Sequence, residues 1–546
     1  MKLGAWRKAG SLVITALLAG TVAACGGGGN NVNDSSSSPP SSVGSGTSVS
    51  HEVQKPITIE WAAYNVNDVA PDPNSEVLKD IEKRFNVKMN IWTADSQKHN
   101  EVFNVRMASG ELPDVLRLKG FDLSKLVESG VAAEVPLELI KEKAPNYYQL
   151  IMDNDSMGAA FKSTIYKGKN YGLPNFNLDG TYPTSLIWRT DWLKNVGINK
   201  IPETLSEFED AIYKFTNNDP DQNGKKDTYG ISSTALQTVF GAFGPFPTDN
   251  LKGTTPYSDL WFTIKDNQVS LNAIQPQMKE ALRLLAKWYK DGVIDPEFLT
   301  GENKGGYWAT SHAFINGRIG VTGNAMFYHW APPLTQGDPG GAVYQEFMKV
   351  KPDAKLGETY EYGKAIQGPD GSAFGGNYWG YSNENIIITS SAFKDPNKVD
   401  AIFKMLDTLV TDQDYYMLMN YGVKDKDYTI NPDGSIASNL KNMTEQVQRG
   451  VTTFSYFLQN PSVLKERNKA KYELAERVKG TGTPKAYLPS VEAMGKYKTD
   501  IQKLTFETYI KIITGTQSVD SFDDYVKKAR AAGADQIEKQ LTDSIQ

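Results

Sequence analysis

From Ile57 onward apolar residues recur with two alternating periods. Ile57-Thr58-Ile59-Glu60-Trp61 alternates apolar and polar as a half-buried strand does, and Val87-Lys88-Met89-Asn90-Ile91-Trp92 does the same. Between them Val77, Leu78, Ile81 and Phe85 fall on one side of a helix over Glu76 to Phe85. Glu101 to Ser109 predicts a second helix, stopped at Gly110, and Pro113-Asp114-Val115-Leu116 opens a third strand. This alternation predicts an α/β chain with a mostly parallel sheet covered by helices. Ligands of such open sheets lie beyond the carboxyl ends of the strands. Tyr64-Asn65 and the run Arg117 to Asp122 are thereby placed on a cleft edge, although each residue taken singly also suits an ordinary surface loop.

The pattern continues with Tyr166 to Pro174, a hairpin turning near Gly168, then a strand over Ser185 to Arg189 and a helix from Asp191. Thr204-Leu205-Ser206-Glu207 has the spacing of a capping box, ahead of a helix whose buried face is Phe208, Ala211, Ile212 and Phe215. Pro276 suits a first helical turn, Met278 to Lys290 continues that helix, and Gly292 stops it. Ile386 to Thr389 reads as a strand, followed by a helix from Pro396 with Val399, Ile402, Phe403, Leu406 and Leu409 inward. Beyond Pro461 the pattern is almost wholly helical, and no short internal repeat is present.

Ahead of Ile57 the pattern changes. Lys2, Arg7 and Lys8 precede an apolar run from Leu12 to Leu18, and small residues lead to Cys25, the order of a secretory signal. The run is shorter than the ~20 apolar residues that span a bilayer. Val22-Ala23-Ala24-Cys25 resembles the lipobox of bacterial lipoproteins. That resemblance implies a signal peptide over 1–24, removed, and a diacylglyceryl group on the sulfur of Cys25. Residues 25–55, with Gly26-Gly27-Gly28-Gly29 and Ser35-Ser36-Ser37-Ser38-Pro39-Pro40, bury too little apolar surface to order and read as a flexible tether. The expected location is the outer face of the cell membrane, held by the anchor alone. Cys25 is the single cysteine, so a lipidated chain has no disulfide and rests on core packing. The ~490 residues that follow the tether are enough for two or more domains. The formal charge is −6, and loss of Lys2, Arg7 and Lys8 with the signal leaves −9. Such a chain lacks the basic footprint of nucleic-acid binding.

The sequence Pro113-Asp114-Val115, Tyr171-Gly172-Leu173-Pro174, Trp188-Arg189-Thr190-Asp191-Trp192-Leu193, Thr204 to Phe208, Gly292-Val293-Ile294-Asp295-Pro296 and the helix after Pro396, in that order and spacing, resembles the extracellular solute-binding proteins of ABC importers. The resemblance is to the carbohydrate-type family that includes maltose- and alginate-oligosaccharide-binding proteins, in its long Gram-positive lipoprotein form. It spans nearly all of Ile57 to Gln546. It implies a two-lobed, periplasmic-binding-protein-like fold of type II with the ligand between the lobes. The lobes would be 56–178 with 384–455 and 179–383 with 456–546, joined near Pro174 to Ser185, Gly375 to Asn385 and Thr452 to Pro461. It further implies an oligosaccharide ligand, ABC permease subunits as partners, and a monomer.

The sharpest local motif is Asp219-Pro220-Asp221-Gln222-Asn223-Gly224-Lys225-Lys226-Asp227-Thr228-Tyr229-Gly230. Side-chain oxygens stand at positions one, three, five and nine with glycine at six, the front half of a calcium loop. Lys225 at position seven would coordinate through its carbonyl. Position twelve is Gly230 rather than a bidentate glutamate. The alginate-binding relatives have an acid at position ten, where Thr228 stands, so the ion would need a further ligand or water. Asp219, Asp221, Asn223, Lys225, Asp227 and Thr228 are the expected calcium residues, with a structural role, and a polar turn is the plainer alternative. Asn431-Pro432-Asp433-Gly434 and Gly368-Pro369-Asp370-Gly371 lack this spacing and read as turns.

Sugars stack their apolar faces on aromatic rings while polar groups meet the hydroxyls. With 27 tyrosines, 22 phenylalanines and 10 tryptophans the chain can supply such rings. Trp308, Trp330 (ahead of Pro332-Pro333 and so expected to be exposed), Tyr378 and Trp379 are the candidate platforms, with Asn324, Tyr64, Asn65 and Arg117 as polar neighbours; core filling is the competing role for each ring. The four histidines, His51, His99, His312 and His329, have no metal-ligand spacing, and neither a phosphate-binding loop nor a nucleophile elbow is present. Gly480-Thr481-Gly482 lacks a third glycine. The chain is expected to be a binding protein rather than an enzyme. A lipid-anchored hydrolase or lyase whose carboxylate pair is hidden among 64 acids, or a scaffold or sensor partner, are the alternatives.

Overall fold

A computed structural model describes residues 55–546 except 64–68, 96–97, 119, 156–157, 184–185, 250, 252–258, 300–311, 324–325, 379, 382–384, 481 and 485. Residues 54–546 form one compact unit. The strands that position the site are β1 (Ile57–Ala62), β2 (Val87–Trp92), β3 (Val115–Arg117), β4 (Leu186–Arg189), β5 (Val321–Gly323), β6 (Tyr360–Gly363), β7 (Asn377–Tyr378), β8 (Ile386–Ile388) and β9 (Thr483–Pro484). The first sheet has the order β8-β3-β1-β2, and the second β6-β4-β5.

The first sheet follows the expected alternation. Ser75 caps the helix Glu76–Phe85 by accepting from Leu78 N, and Asn86, in the left-handed region, ends it. Its buried face is Val77, Leu78, Ile81 and Phe85, as the spacing predicts. β1 runs parallel to β2 and β3, whereas β8 is antiparallel to β3, Ile386 opposite Arg117. Asp114 ties these pieces together: its fully buried carboxylate accepts from Glu60 N and from Lys398 Nζ, each at 2.8 Å. The second sheet departs from the parallel expectation, since β4 pairs antiparallel with both β5 and β6. A parallel neighbour needs a crossover that returns the chain to the same end, and the segments entering this sheet arrive from the opposite end.

The capping box forms, and Trp188 of β4 is buried against Phe208 and Phe215 of the helix it starts. Gly320 is there for contact: a Cβ would lie 2.2 Å from the Phe215 ring.

The segments expected to join the lobes are stitched to one another. Leu173 and Ile386 exchange two backbone hydrogen bonds, Asn177 N donates to Gly380 O, and Gln459 N donates to Phe176 O. The Gln459 side chain accepts from Leu178 N at 2.7 Å. A fourth segment joins them, which the helical reading beyond Pro461 did not anticipate. β9 pairs in parallel with β7, Gly480 N donates to Pro183 O, and Tyr381 N donates to the Tyr487 hydroxyl. The helix Lys469–Val478 ends just before Gly480, and glycines followed by Pro484 were the available sign.

Candidate functional site

Two places carry chemistry: the meeting point of the linking segments and the loop at Asp219. At the first, Arg117 ends β3 at the carboxyl edge of the first sheet. It is largely buried, and its guanidinium carbon lies 3.5 Å from the centre of the Phe457 ring. Tyr378 is half-buried on β7. Trp330 is not exposed as expected. At 2 % exposure it packs on Phe314, Phe347 and Tyr360, and its carbonyl accepts from the Tyr360 hydroxyl. The prolines do end the helical turn Phe327–Trp330, but the ring of its last residue turns inward to fill the core. Cys25, Tyr64, Asn65, Trp308, Asn324 and Trp379 lie outside the described residues.

Beside this point stands a polar cluster that sequence reading missed. Asp179 accepts from Lys471 Nζ at 2.9 Å and from the Tyr472 hydroxyl at 3.0 Å. The same ammonium lies over the rings of Tyr328, Tyr472 and Phe327, at 5.1, 5.4 and 5.8 Å from their centres. Burial pushes the neighbouring Tyr182 hydroxyl up to about 12, helped by Glu476, and holds His329 down to about 4. Asp179 and Lys471 are 292 residues apart, so no spacing signals them.

The loop at Asp219 is built by neighbouring residues. Asp219 and Gln222 adopt positive φ, and Gly224 turns at φ +76°. The Asp219 carboxylate accepts from the amides of Asn223 and Gly224. The Asn223 side-chain amide donates to Asp221 at 2.8 Å and to Asp227 at 3.2 and 3.4 Å. Partial burial, then the nearby Asp219 and Asp227, raise the Asp221 carboxyl above its ordinary value. The Thr228 hydroxyl is buried and donates to Phe215 O at 2.8 Å, which ties it to the preceding helix. Gly230 cannot be replaced by an acid, because a Cβ there would lie 2.5 Å from the Ile212 Cβ. A cleft of about 440 Å³ opens beside the loop, lined by Asp221, Asn223, Asp227, Asn316 and Arg318 among others. Among the described residues no group of three or more His, Cys, Asp or Glu side chains is arranged to hold a metal ion. Also among them, no helix is long and apolar enough to cross a membrane.

The comparisons with known proteins agree along nearly the whole chain. The family model for bacterial extracellular solute-binding proteins matches residues 76–385. The chain is 25% identical over 507 residues to lipoprotein LipO of Bacillus subtilis, covering 89% of this chain and 91% of that one. It is 22% identical to the polygalacturonan/rhamnogalacturonan-binding protein YtcQ of the same organism, covering 88% and 90%. Among solved structures, the alginate-binding protein AlgQ2 without calcium ion superposes with a TM-score of 0.65 at 21% identity, covering 90% and 98%. An EF-hand mutant of the Streptococcus pneumoniae ABC-transporter substrate-binding protein FusA, in complex with fructo-nystose, superposes at 0.63 with 17% identity, covering 89% and 99%. These likenesses give the fold, a two-lobed solute-binding protein of type II.

Proposed function

We propose, for a chain that belongs to the bacterial extracellular solute-binding proteins, that it captures an oligosaccharide between its lobes and delivers it to an ABC permease. The observation that carries this reading is the stitched junction of linking segments at the carboxyl edge of the first sheet, with an arginine and aromatic rings around it. Relatives named for polygalacturonan and fructooligosaccharide binding support a carbohydrate ligand. They are binding proteins, which supports a non-enzymatic role. The lobes in this reading are 56–178 with 384–455 and 179–383 with 456–546. A ligand shifts them toward closure only by its preference for the closed form. Closure and stacking both alter the surroundings of tryptophan, so titration with oligogalacturonides and kestose should change tryptophan emission and release or absorb heat. A glycan panel giving neither signal refutes carbohydrate capture, and product formation during incubation would establish the enzymatic alternative.

Cys25 carries the lipid anchor in this reading, in keeping with the lipoprotein relative. Cys25→Ser should move the protein from the membrane to the soluble fraction; a variant that still sediments with membranes counts against it.

The Asp219 loop holds one structural calcium ion, through the side chains of Asp219, Asp221, Asn223 and Asp227 and the carbonyl of Lys225. The residue types are those a hard cation takes, several oxygens on one turn; burial first, and the nearby Asp219 and Asp227 after it, raise the Asp221 carboxyl, and a divalent charge would relieve the acids. Asn223 Oδ1 accepts from Lys225 N at 2.7 Å while its amide nitrogen faces Asp221 and Asp227, so in this reading the side chain gives up that hydrogen bond to meet the ion. Neighbouring proteins described by their calcium-free form or an EF-hand mutation support the same reading. Bound ion would neutralise these acids and brace the turn between the helix Leu205–Asn217 and the bridge of Tyr229 to Ile319.

A further inference from the structure

We propose that Asn316 is a site of spontaneous deamidation in the folded protein, and that the hydrogen bonds of the Asp219 loop withhold the same chemistry from Asn223. The chain has two Asn-Gly steps, Asn223-Gly224 and Asn316-Gly317. Asn223, Asn316 and Gly317 all line the cleft beside the loop. In such a step the glycine nitrogen reaches the carbonyl carbon of the preceding side chain, because no Cβ stands in its way. Hydroxide takes the glycine N–H proton, the nitrogen bonds to that carbon, and ammonia leaves behind a cyclic imide. Water then opens the imide at either carbonyl, giving aspartate or isoaspartate. One water is consumed and one ammonia released, and no oxidant or cofactor takes part.

The reaction needs the glycine N–H, the side-chain carbonyl and the side-chain nitrogen to be released from other partners. At Asn223 all three are held. Gly224 N donates to the Asp219 carboxylate at 2.9 Å, Asn223 Oδ1 accepts from Lys225 N at 2.7 Å, and Asn223 Nδ2 donates to Asp221 at 2.8 Å. At Asn316 only the first is held. Gly317 N donates to Phe314 O at 3.1 Å, while among the described residues no hydrogen bond engages the exposed Asn316 side chain. That one bond closes the end of the four-residue helix His312–Ile315. So short a helix has little cooperativity of its own, and an exposed end opens at small cost. Gly317 turns at φ +71°, and a Cβ there would meet nothing within 4 Å, so the attack is not crowded.

The two products differ in what they do to the fold. Aspartate adds a carboxylate to a lining that already has Asp221 and Asp227, and it leaves the backbone unchanged. Isoaspartate routes the backbone through the side chain and lengthens it by one methylene, just ahead of Arg318. Arg318 is fixed on three sides. Its guanidinium donates to Asp295 at 2.6 Å and to Glu297 at 2.7 Å, and its carbonyl accepts from Tyr229 N at 2.7 Å. Asp295 is almost fully buried, so an Arg318 pushed out of register leaves a buried carboxylate without its cation, which destabilises strongly. Isoaspartate is therefore the damaging product and aspartate the tolerated one.

The test ages the full-length chain at mildly alkaline pH, folded and in urea, and follows both Asn-Gly peptides by mass spectrometry after digestion. Folded, the Asn316 peptide should deamidate well ahead of the Asn223 peptide. In urea, where neither step keeps its hydrogen bonds, the two should proceed at similar rates. Folded protein in which both peptides react alike, in which Asn223 reacts first, or in which neither reacts while both do in urea, overturns the proposal. Thermal unfolding reads the consequence. Aged wild type should gain a lower-melting fraction that grows with its isoaspartate content, measured by enzymatic carboxyl methylation. Asn316→Gln aged alongside should gain no such fraction, and fresh Asn316→Asp should melt with fresh wild type. A lower-melting fraction of the same size in aged Asn316→Gln, or aged wild type that melts as fresh despite its isoaspartate, overturns the link from Asn316 to Arg318.

Discussion

The loop from Asp219 to Gly230 and the junction around Arg117 are opposite ways of building a site. In the loop every donor comes from a stretch of neighbouring residues, and the turn at Gly224 gathers them. At the junction Arg117 meets Phe457, Phe176 meets Gln459, and Asp179 meets Lys471, each pair brought together by the path of the whole chain. The first kind of site depends on local geometry and survives in a short spacing pattern. The second depends on which segments the sheets bring side by side, and its residue types carry no spacing at all. The difference also governs what can be lost by mutation: a local site fails alone, whereas an assembled site shares its residues with the core.

Trp330 offers the largest effect and the sharpest break of the comparison. Its ring is buried among Phe314, Phe347 and Tyr360. Trp330→Ala should therefore cost ~3–5 kcal/mol of stability by denaturant unfolding, while the folded molecules keep wild-type glycan affinity. Sound stability with weakened binding would instead return Trp330 to the cleft.

The loop should respond separately from the junction. An ion that binds only the folded chain stabilises it by ~2.7 kcal/mol at a hundredfold excess over its dissociation constant. Chelation should lower the melting temperature of the wild type, and Asp221→Ala should melt alike with calcium and with chelator. Identical melting of the wild type under both conditions removes calcium from the loop and leaves a turn held by Asn223 and its hydrogen bonds.

Legibility in the sequence followed the same division. Helix Glu76–Phe85 with its buried face, the hairpin turning at Lys167-Gly168, the capping box and the glycine after Lys290 all depend on residues within a few positions of one another, and all are present. The antiparallel second sheet was not legible, because strand direction is decided by connections outside the strand. The fourth linking segment was hidden for a similar reason: β9 is short, and its partner β7 lies over a hundred residues earlier. Exposure of a tryptophan is likewise not a local property. Trp330 precedes prolines as a surface residue does, yet its surroundings are supplied by Phe347 and Tyr360 from later elements.

The smallest effect tests the most local device, the capping box at Thr204. Thr204 accepts from Glu207 N at 3.3 Å, and the Glu207 carboxylate accepts from Thr204 N at 3.2 Å and Glu203 N at 3.0 Å. Thr204→Ala should cost ~1 kcal/mol, since one amide of the first turn loses its partner. Glu207 adds a pH dependence whose sign follows from its environment. Lys200, then the amides of Glu203 and Thr204, favour the charged form and lower its carboxyl from 4.5 to about 2. A carboxyl lowered by folding contributes its stability fully above its unfolded value and loses it as pH falls through the folded one. The window is therefore from about 4.5 down to about 2, and the contribution is small because the group stands in solvent. Glu207→Gln can still accept from the Thr204 amide but cannot ionise. Its melting temperature should fall less steeply across that window than the wild type's, and added salt should narrow the gap by screening Lys200. Equal pH slopes in the two proteins would assign the hold on Glu207 to its hydrogen bonds alone, and an unchanged unfolding midpoint in Thr204→Ala would show that packing of Phe208 and Phe215 starts this helix without help from its cap.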